Sequence, residues 1–153
     1  MNSFEIELSN VKTELEYNLM RIDKCILGKR RDYSRRIHKL MCEYNEKRNS
    51  LDTQWLDIKL KLNAISDMNG RLGLMNALAE NERNQRYYKE RNDIGIKSEK
   101  SEMQLDIEEL EIQKRKIRVD MEIRMSEIKE RYLSWLESRD TQDNEKPTCN
   151  ETV

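Results

Sequence analysis

Proline occurs once in this chain of 153 residues, at Pro147, and glycine four times, at Gly28, Gly70, Gly73 and Gly95. Nothing from Met1 to Lys146 therefore removes a backbone donor or sets a proline ring against the carbonyl four residues back. A turn-rich β fold needs such punctuation, so its scarcity points to long helices. No run of consecutive apolar side chains exceeds three, as in Cys25-Ile26-Leu27. A membrane span takes about 20, so no direct membrane insertion is expected. The start, Met1-Asn2-Ser3-Phe4-Glu5, has no basic stretch leading into an apolar one, and no secretory signal is read there. Cysteine appears only at 25, 42 and 149. An odd number so widely spaced makes no disulfide framework, and a reducing cytoplasm is the simplest expected compartment.

What the chain has in excess is charge. Charged side chains make up 39% and hydrophobic ones 36%, against roughly 25% and 45–50% in an ordinary globular domain. The 29 Lys+Arg nearly cancel the 30 Asp+Glu, leaving a net charge of −1. Such mixed charge is not that of a like-charge disordered tail. The apolar fraction is too small for a thick core but sufficient for a narrow seam between helices. Steps of four and three from Ile37 reach Met41, Tyr44, Arg48, Leu51, Trp55, Ile58, Leu62 and Ile65. Eight of these nine positions are apolar, where composition alone predicts about three. Upstream the face continues through Leu8, Val11, Leu15, Leu19, Ile22, Ile26 and Tyr33. A second seam runs Met103, Ile107, Leu110, Lys114, Ile117, Met121, Arg124, Ile128, Arg131 and Trp135. Its step averages about 3.5 residues, the repeat of a left-handed coiled coil.

Between the seams lies Asp67-Met68-Asn69-Gly70-Arg71-Leu72-Gly73, with two of the four glycines and an Asn-Gly pair that signals a turn. The segment divides the chain almost equally. The expected fold is all-α: an antiparallel two-helix coiled-coil hairpin over 1–138, with arm one at 3–66, a turn at 67–73 and arm two at 74–138. Each arm would be about 95 Å long. Charge offers an independent test. Residues 29–39 carry net +5 and residues 101–111 carry net −5, and a hairpin centred on Gly70 sets these blocks face to face. Opposed blocks favour one register and disfavour parallel pairing. The other reading is that both blocks are solvated faces.

Two stretches alternate strictly, Leu56–Leu62 and Ile117–Met125, a period that belongs to strands. Both sit inside longer seams of period 3.5 and are read as helical. The alternation leaves Leu105, Ile112, Val119, Ile123 and Leu133 as a thinner second stripe, which a hairpin partner would not cover. The polar segment 139–153, holding the proline and no periodicity, is expected to be disordered.

Candidates for chemistry are few. His38 and Cys42 share a helical face, but a zinc site takes three or four ligands and Cys25 is more than three turns away. A reactive Cys–His pair needs a shaped pocket, which two helices do not supply. Gly28-Lys29-Arg30 lacks the strand and spacing of a phosphate loop. No catalytic residue, cofactor or metal site is assigned, and the chain is read as non-enzymatic. A net charge near zero also favours intramolecular pairing of the basic block over nucleic-acid binding. The candidate partner-binding residues are Leu72, Leu74, Met75 and Leu78 at the turn tip, which either dock a partner or close the hairpin against Ile65 and Met68. Phe4, Leu8, Tyr132, Trp135 and Leu136 gather where the arms end, to lock that end or to insert into a partner.

Leu62-Asn63-Ala64-Ile65-Ser66-Asp67-Met68 enters the mid-chain turn, and Lys129-Glu130-Arg131-Tyr132-Leu133-Ser134-Trp135-Leu136 lies near the end of arm two. The second segment resembles the Tyr-Trp-Leu segment of invasion-type members of the SpaM group. In architecture, residues 1–138 resemble the coiled-coil central-stalk proteins of type III secretion and flagellar export. The resemblance implies a rod in the pore of a hexameric secretion ATPase, reaching toward the export gate protein and coupling ATP hydrolysis to protein transport. It further implies export chaperones as partners, a role in virulence, and a place at the cytoplasmic face of the inner membrane. The alternative is a generic coiled-coil scaffold or adaptor, homodimeric through the second stripe.

Overall fold

The computed structural model describes residues 2–144, with side chains through residue 143. It holds two helices, α1 (Ser3–Ala64, 62 residues) and α2 (Met68–Asn144, 77 residues), packed against each other as an antiparallel hairpin. Both strictly alternating stretches are helical. Their off-seam side chains, Leu56, Leu60, Val119 and Ile123, are left exposed. α1 opens on a reciprocal cap. The Glu5 N–H donates to Asn2 Oδ1 at 2.8 Å, and the Asn2 N–H donates to Glu5 Oε2 at 3.1 Å, so two donors that the helix cannot satisfy are paired.

The connection is shorter and earlier than the glycines suggested. It comprises residues 65–67, in place of the turn expected at 67–73, and Gly70 and Gly73 lie inside α2. Among the described residues no glycine has a positive φ. Capping explains the shift. Asp67 receives the Gly70 N–H on Oδ2 at 3.1 Å and the Arg71 N–H on its carbonyl at 2.9 Å, which makes it the N-cap of α2. Arg71 Nη1 then reaches back to the carbonyls of Leu62 at 3.0 Å and Ile65 at 3.1 Å. Those are carbonyls that the end of α1 leaves without helical partners. These bonds offset the cost of about 1 kcal/mol for each helical glycine.

The far end of α2 also differs from expectation. Residues 139–144, assigned to the disordered tail, continue the helix, and residues 145–153 lie outside the described residues. Thr141 Oγ1 donates to the Glu137 carbonyl at 2.9 Å, and the Arg139 guanidinium lies 5.4 Å from the Trp135 ring centre. Residues 139–144 contain neither proline nor glycine, so nothing in them breaks the helix.

The chain divides into two compact units. The terminal unit takes residues up to Ile26 and from Glu108 onward. Its core is Val11, Met121 and Ile128, with Phe4, Leu8, Leu15, Ile117 and Met125 packed around them. Each such buried side chain contributes roughly 1.5–3 kcal/mol against leaving it in water. Among the described residues, ion pairs that cross between the helices include Glu7–Arg131 at 2.8 Å, Glu14–Arg124 at 3.1 Å and Asp23–Lys114 at 2.7 Å. The seam on α2 departs from the expected Arg124, Arg131 and Trp135; Met125, Tyr132 and Leu136 take the inner positions. Two consecutive steps of four after Ile128 show the drift of a 3.6-residue helix against a 3.5-residue repeat.

The turn unit is Leu27–Ile107. Tyr33, Leu51, Ile58 and Leu62 are its buried apolar side chains on α1. Leu40 turns inward where Met41 was expected; Met41 is 47% exposed. Here the basic and acidic blocks meet. Lys29 Nζ lies 3.7 Å from Asp106, and the Tyr33 hydroxyl donates to Asp106 Oδ2 at 2.7 Å. Arg36 lies 3.7 Å from Glu99. The partners fall one to five residues nearer the turn than a hairpin centred on Gly70 would place them, as the earlier connection requires.

Candidate interaction surfaces

The turn separates its four candidate residues into two pairs. Leu74 and Leu78, one helical turn apart, are half-buried. Leu72 and Met75, three apart on another face, are 53% and 54% exposed. The i, i+3 and i, i+4 spacings decide this: each pair shares a face, and only one face of α2 can meet α1. Met68 is exposed as well, so the turn presents Met68, Leu72 and Met75 to solvent.

Of the residues expected to gather where the arms terminate, Phe4, Tyr132 and Trp135 meet beside the start of α1, while α2 runs on to Asn144. The Phe4 ring centre lies 5.3 Å from Tyr132 and 6.0 Å from Trp135, and Tyr132 and Trp135 stack at 6.1 Å. Leu8 packs on the adjoining core, and Leu136 is half-buried one turn beyond Tyr132. Trp135 is exposed, with Arg139 over its ring. Tilted and stacked aromatic pairs at these separations contribute about 0.5–1.5 kcal/mol beyond their burial.

A feature that apolar periodicity could not reveal lies between Leu78 and Met103. There the face of α2 that meets α1 is largely polar or bare: Asn81, Gln85, Asn92, Gly95 and Glu99, interrupted by Tyr88 and Ile96. Asn81 is 2% exposed. Its Nδ2 donates to the Leu51 carbonyl and to Gln54 Oε1, both at 3.0 Å, and its Oδ1 accepts from Gln85 Nε2 at 2.8 Å. A buried, fully paired amide specifies register, because a slip would leave it unpaired. Asn92 Oδ1 is buried with no partner among the described residues. The signal in the sequence was negative: a run of 24 residues from 79 to 102 without an apolar seam.

This polar face undercovers α1 and leaves two grooves beside Tyr44 and Tyr88. One, of about 170 Å³, is lined by Tyr44, Arg48, Leu51, Gln85, Arg86, Tyr88 and Lys89. The other, of about 610 Å³, is more open; Leu40, Lys47, Arg91, Asn92 and Gly95 are among the residues that line it. Tyr88 is held from two sides, by Lys47 Nζ at 4.8 Å from its ring centre and by Tyr87 edge-on at 5.3 Å.

The electrostatics of the turn unit centre on Tyr33. Its hydrogen bond to the Asp106 carboxylate, then its loss of hydration, then the charges of Asp106 and Glu102 hold the phenol above its ordinary pKa of 10.0; Arg36 opposes them. Each of the first three favours the protonated, hydrogen-donating form.

His38 and Cys42 are close, with Nε2 3.4 Å from Sγ on an exposed face. Cys25 is exposed elsewhere on α1, and Cys149 is outside the described residues. Among the described residues no three His, Cys, Asp or Glu side chains converge to hold a metal ion, and no helix is long and apolar enough to cross a membrane. Comparison with known protein families, curated proteins and solved structures finds no match to this chain.

Proposed function

We propose that this chain is the non-enzymatic central stalk of a type III protein secretion apparatus, seated against the hexameric export ATPase and coupling it to the export gate. The observation that carries this reading is the antiparallel hairpin of 62- and 77-residue helices, with apolar side chains left exposed at its turn. Such a hairpin can transmit position or torque without chemistry, and its work is done through its surfaces. Leu72 and Met75 at the turn and Trp135 in the terminal aromatic cluster supply exposed apolar contacts, and Trp and Met are residue types enriched at protein interfaces.

The test is reconstitution with a purified hexameric secretion ATPase. Binding that cosediments with the hexamer, together with a raised hydrolysis rate, is the expected result. Leu72→Asp with Met75→Asp, compared with Trp135→Ala, identifies which exposed cluster faces the ring. Neither binding nor a change in rate would dispose of the stalk.

A second reading, a homodimeric coiled-coil scaffold, is favoured by one observation. Ile112, Val119 and Leu133 are exposed at multiples of seven residues in the terminal unit, with Ile123 beside them. Molar mass by light scattering separates the two: twice 18.5 kDa at micromolar concentration supports the scaffold.

A further inference from the structure

The smaller groove of the turn unit combines three properties. First, its size is right for one side chain. At about 170 Å³ it compares with an engineered apolar cavity of about 150 Å³ that takes up benzene. Second, its walls are aromatic and aliphatic. Tyr44 and Tyr88 are half-buried, and the buried Leu51 also lines the groove. Third, its rim is cationic: Arg48, Arg86 and Lys89 line it and no carboxylate does. Arg48 shares Asp52 one turn along its own helix at 3.7 Å. Arg86 and Lys89 have no carboxylate partner among the described residues.

We propose that this groove docks an acidic helical segment of a partner protein, which inserts one aromatic or large aliphatic side chain between Tyr44 and Tyr88 and sets carboxylates against Arg86, Lys89 and Arg48. The apolar anchor supplies the affinity, because it fills a partly enclosed space that water occupies poorly. The cationic rim supplies the selection, by favouring an acidic segment over a basic one and speeding encounter at low salt. Cations beside two tyrosines are also the elements of a single-stranded nucleic-acid site. The groove favours the peptide: it accommodates a single side chain, and three cations around so short a cleft track few phosphates. The site does not depend on the stalk assignment, and its test contains no ATPase.

The probes are two synthetic 20-residue helical peptides with a central Phe, one flanked by Glu and one by Lys, followed by fluorescence polarisation. A third peptide carries Ala in place of the Phe of the Glu version, and a ten-nucleotide single-stranded RNA completes the set. The Glu peptide is expected to bind with a Kd below about 100 μM in 50 mM salt, and the Lys and Ala peptides at least about tenfold more weakly. Arg86→Glu with Lys89→Glu should weaken the Glu peptide at least about tenfold while circular dichroism shows unchanged helicity, since both side chains are exposed. Any of four results overturns the site: no saturation by the Glu peptide at about 1 mM, equal binding of Glu and Lys peptides, indifference to the double variant, or tighter binding of the RNA than of the Glu peptide.

Discussion

Replacing Asn81 tests whether the polar seam of the turn unit fixes the hairpin register. Asn81→Ala deletes three hydrogen bonds, to Leu51, Gln54 and Gln85. A net 0.5–1.5 kcal/mol for each would total about 1.5–4.5 kcal/mol. Gln54 and Gln85 are only partly buried and can turn toward water, while the Leu51 carbonyl keeps its helical partner, so the lower half of that range applies. The expected loss is about 1.5–3 kcal/mol in urea denaturation followed by circular dichroism, or roughly 3–12 °C in Tm for a chain of this size. Asn81→Leu should behave differently. It places an apolar side chain against Leu51 and recovers at least about 1 kcal/mol of that loss, but it removes the group that penalises a slipped register. Spin labels at Thr53 and Asn84, both exposed, in a background with Cys25, Cys42 and Cys149 changed to Ser, read that register directly. One narrow distance is expected in the parent and a broadened distribution in Asn81→Leu. If Asn81→Ala costs less than about 0.5 kcal/mol, the network is not holding the hairpin; if Asn81→Leu keeps the narrow distance, register is set elsewhere.

Three other perturbations probe separate parts of the hairpin. Gly73→Ala and Gly28→Ala add a Cβ where nothing lies within 4 Å, so each should stabilise by about 0.5–1 kcal/mol in denaturant melts; a destabilising Gly73→Ala would return the turn to the glycines. Lys114 sits in the apolar seam with its side chain 13% exposed, while its partner Asp23 is 56% exposed. Lys114→Leu should therefore raise stability by about 1 kcal/mol, because the carboxylate left behind remains solvated. Tyr33→Phe should lower the denaturation midpoint at neutral pH. The raised pKa of Tyr33 means the folded state holds its proton longer than the unfolded state does. Its stabilising contribution is accordingly full below pH 10 and shrinks as pH climbs through the higher folded value. A gap between parent and Tyr33→Phe that stays constant from pH 8 through 11.5 would contradict that linkage.

The helical content and the position of the apolar seam were legible because they depend on local geometry. Leu51, Ile58 and Leu62 recur at the spacing that places side chains on one face, and all three are buried. The opposition of the basic block to the acidic one was legible for a similar reason, since mirror positions in an antiparallel pair follow from counting alone. Lys29 and Tyr33 on Asp106 express it. Where a helical face drifts, counting lost its place: Leu40 took the position expected for Met41, and Tyr132 that expected for Arg131. The phase of a 3.6-residue helix accumulates error that only the partner's surface corrects.

The sequence by itself determined that this chain forms two long helices joined near its middle, because periodicity, proline absence and charge blocks all act along the chain. The tertiary structure decided where the chain turns, since the reach of Arg71 to Leu62 and Ile65 and the cap at Asp67 outweigh two glycines that locally favour a break. It also decided where the seam is polar. Asn81 and Gln85 read as ordinary surface residues until Leu51 and Gln54 are brought opposite them, and a hydrogen bond across 27 or 30 residues of chain leaves no periodic trace in the order of the amino acids.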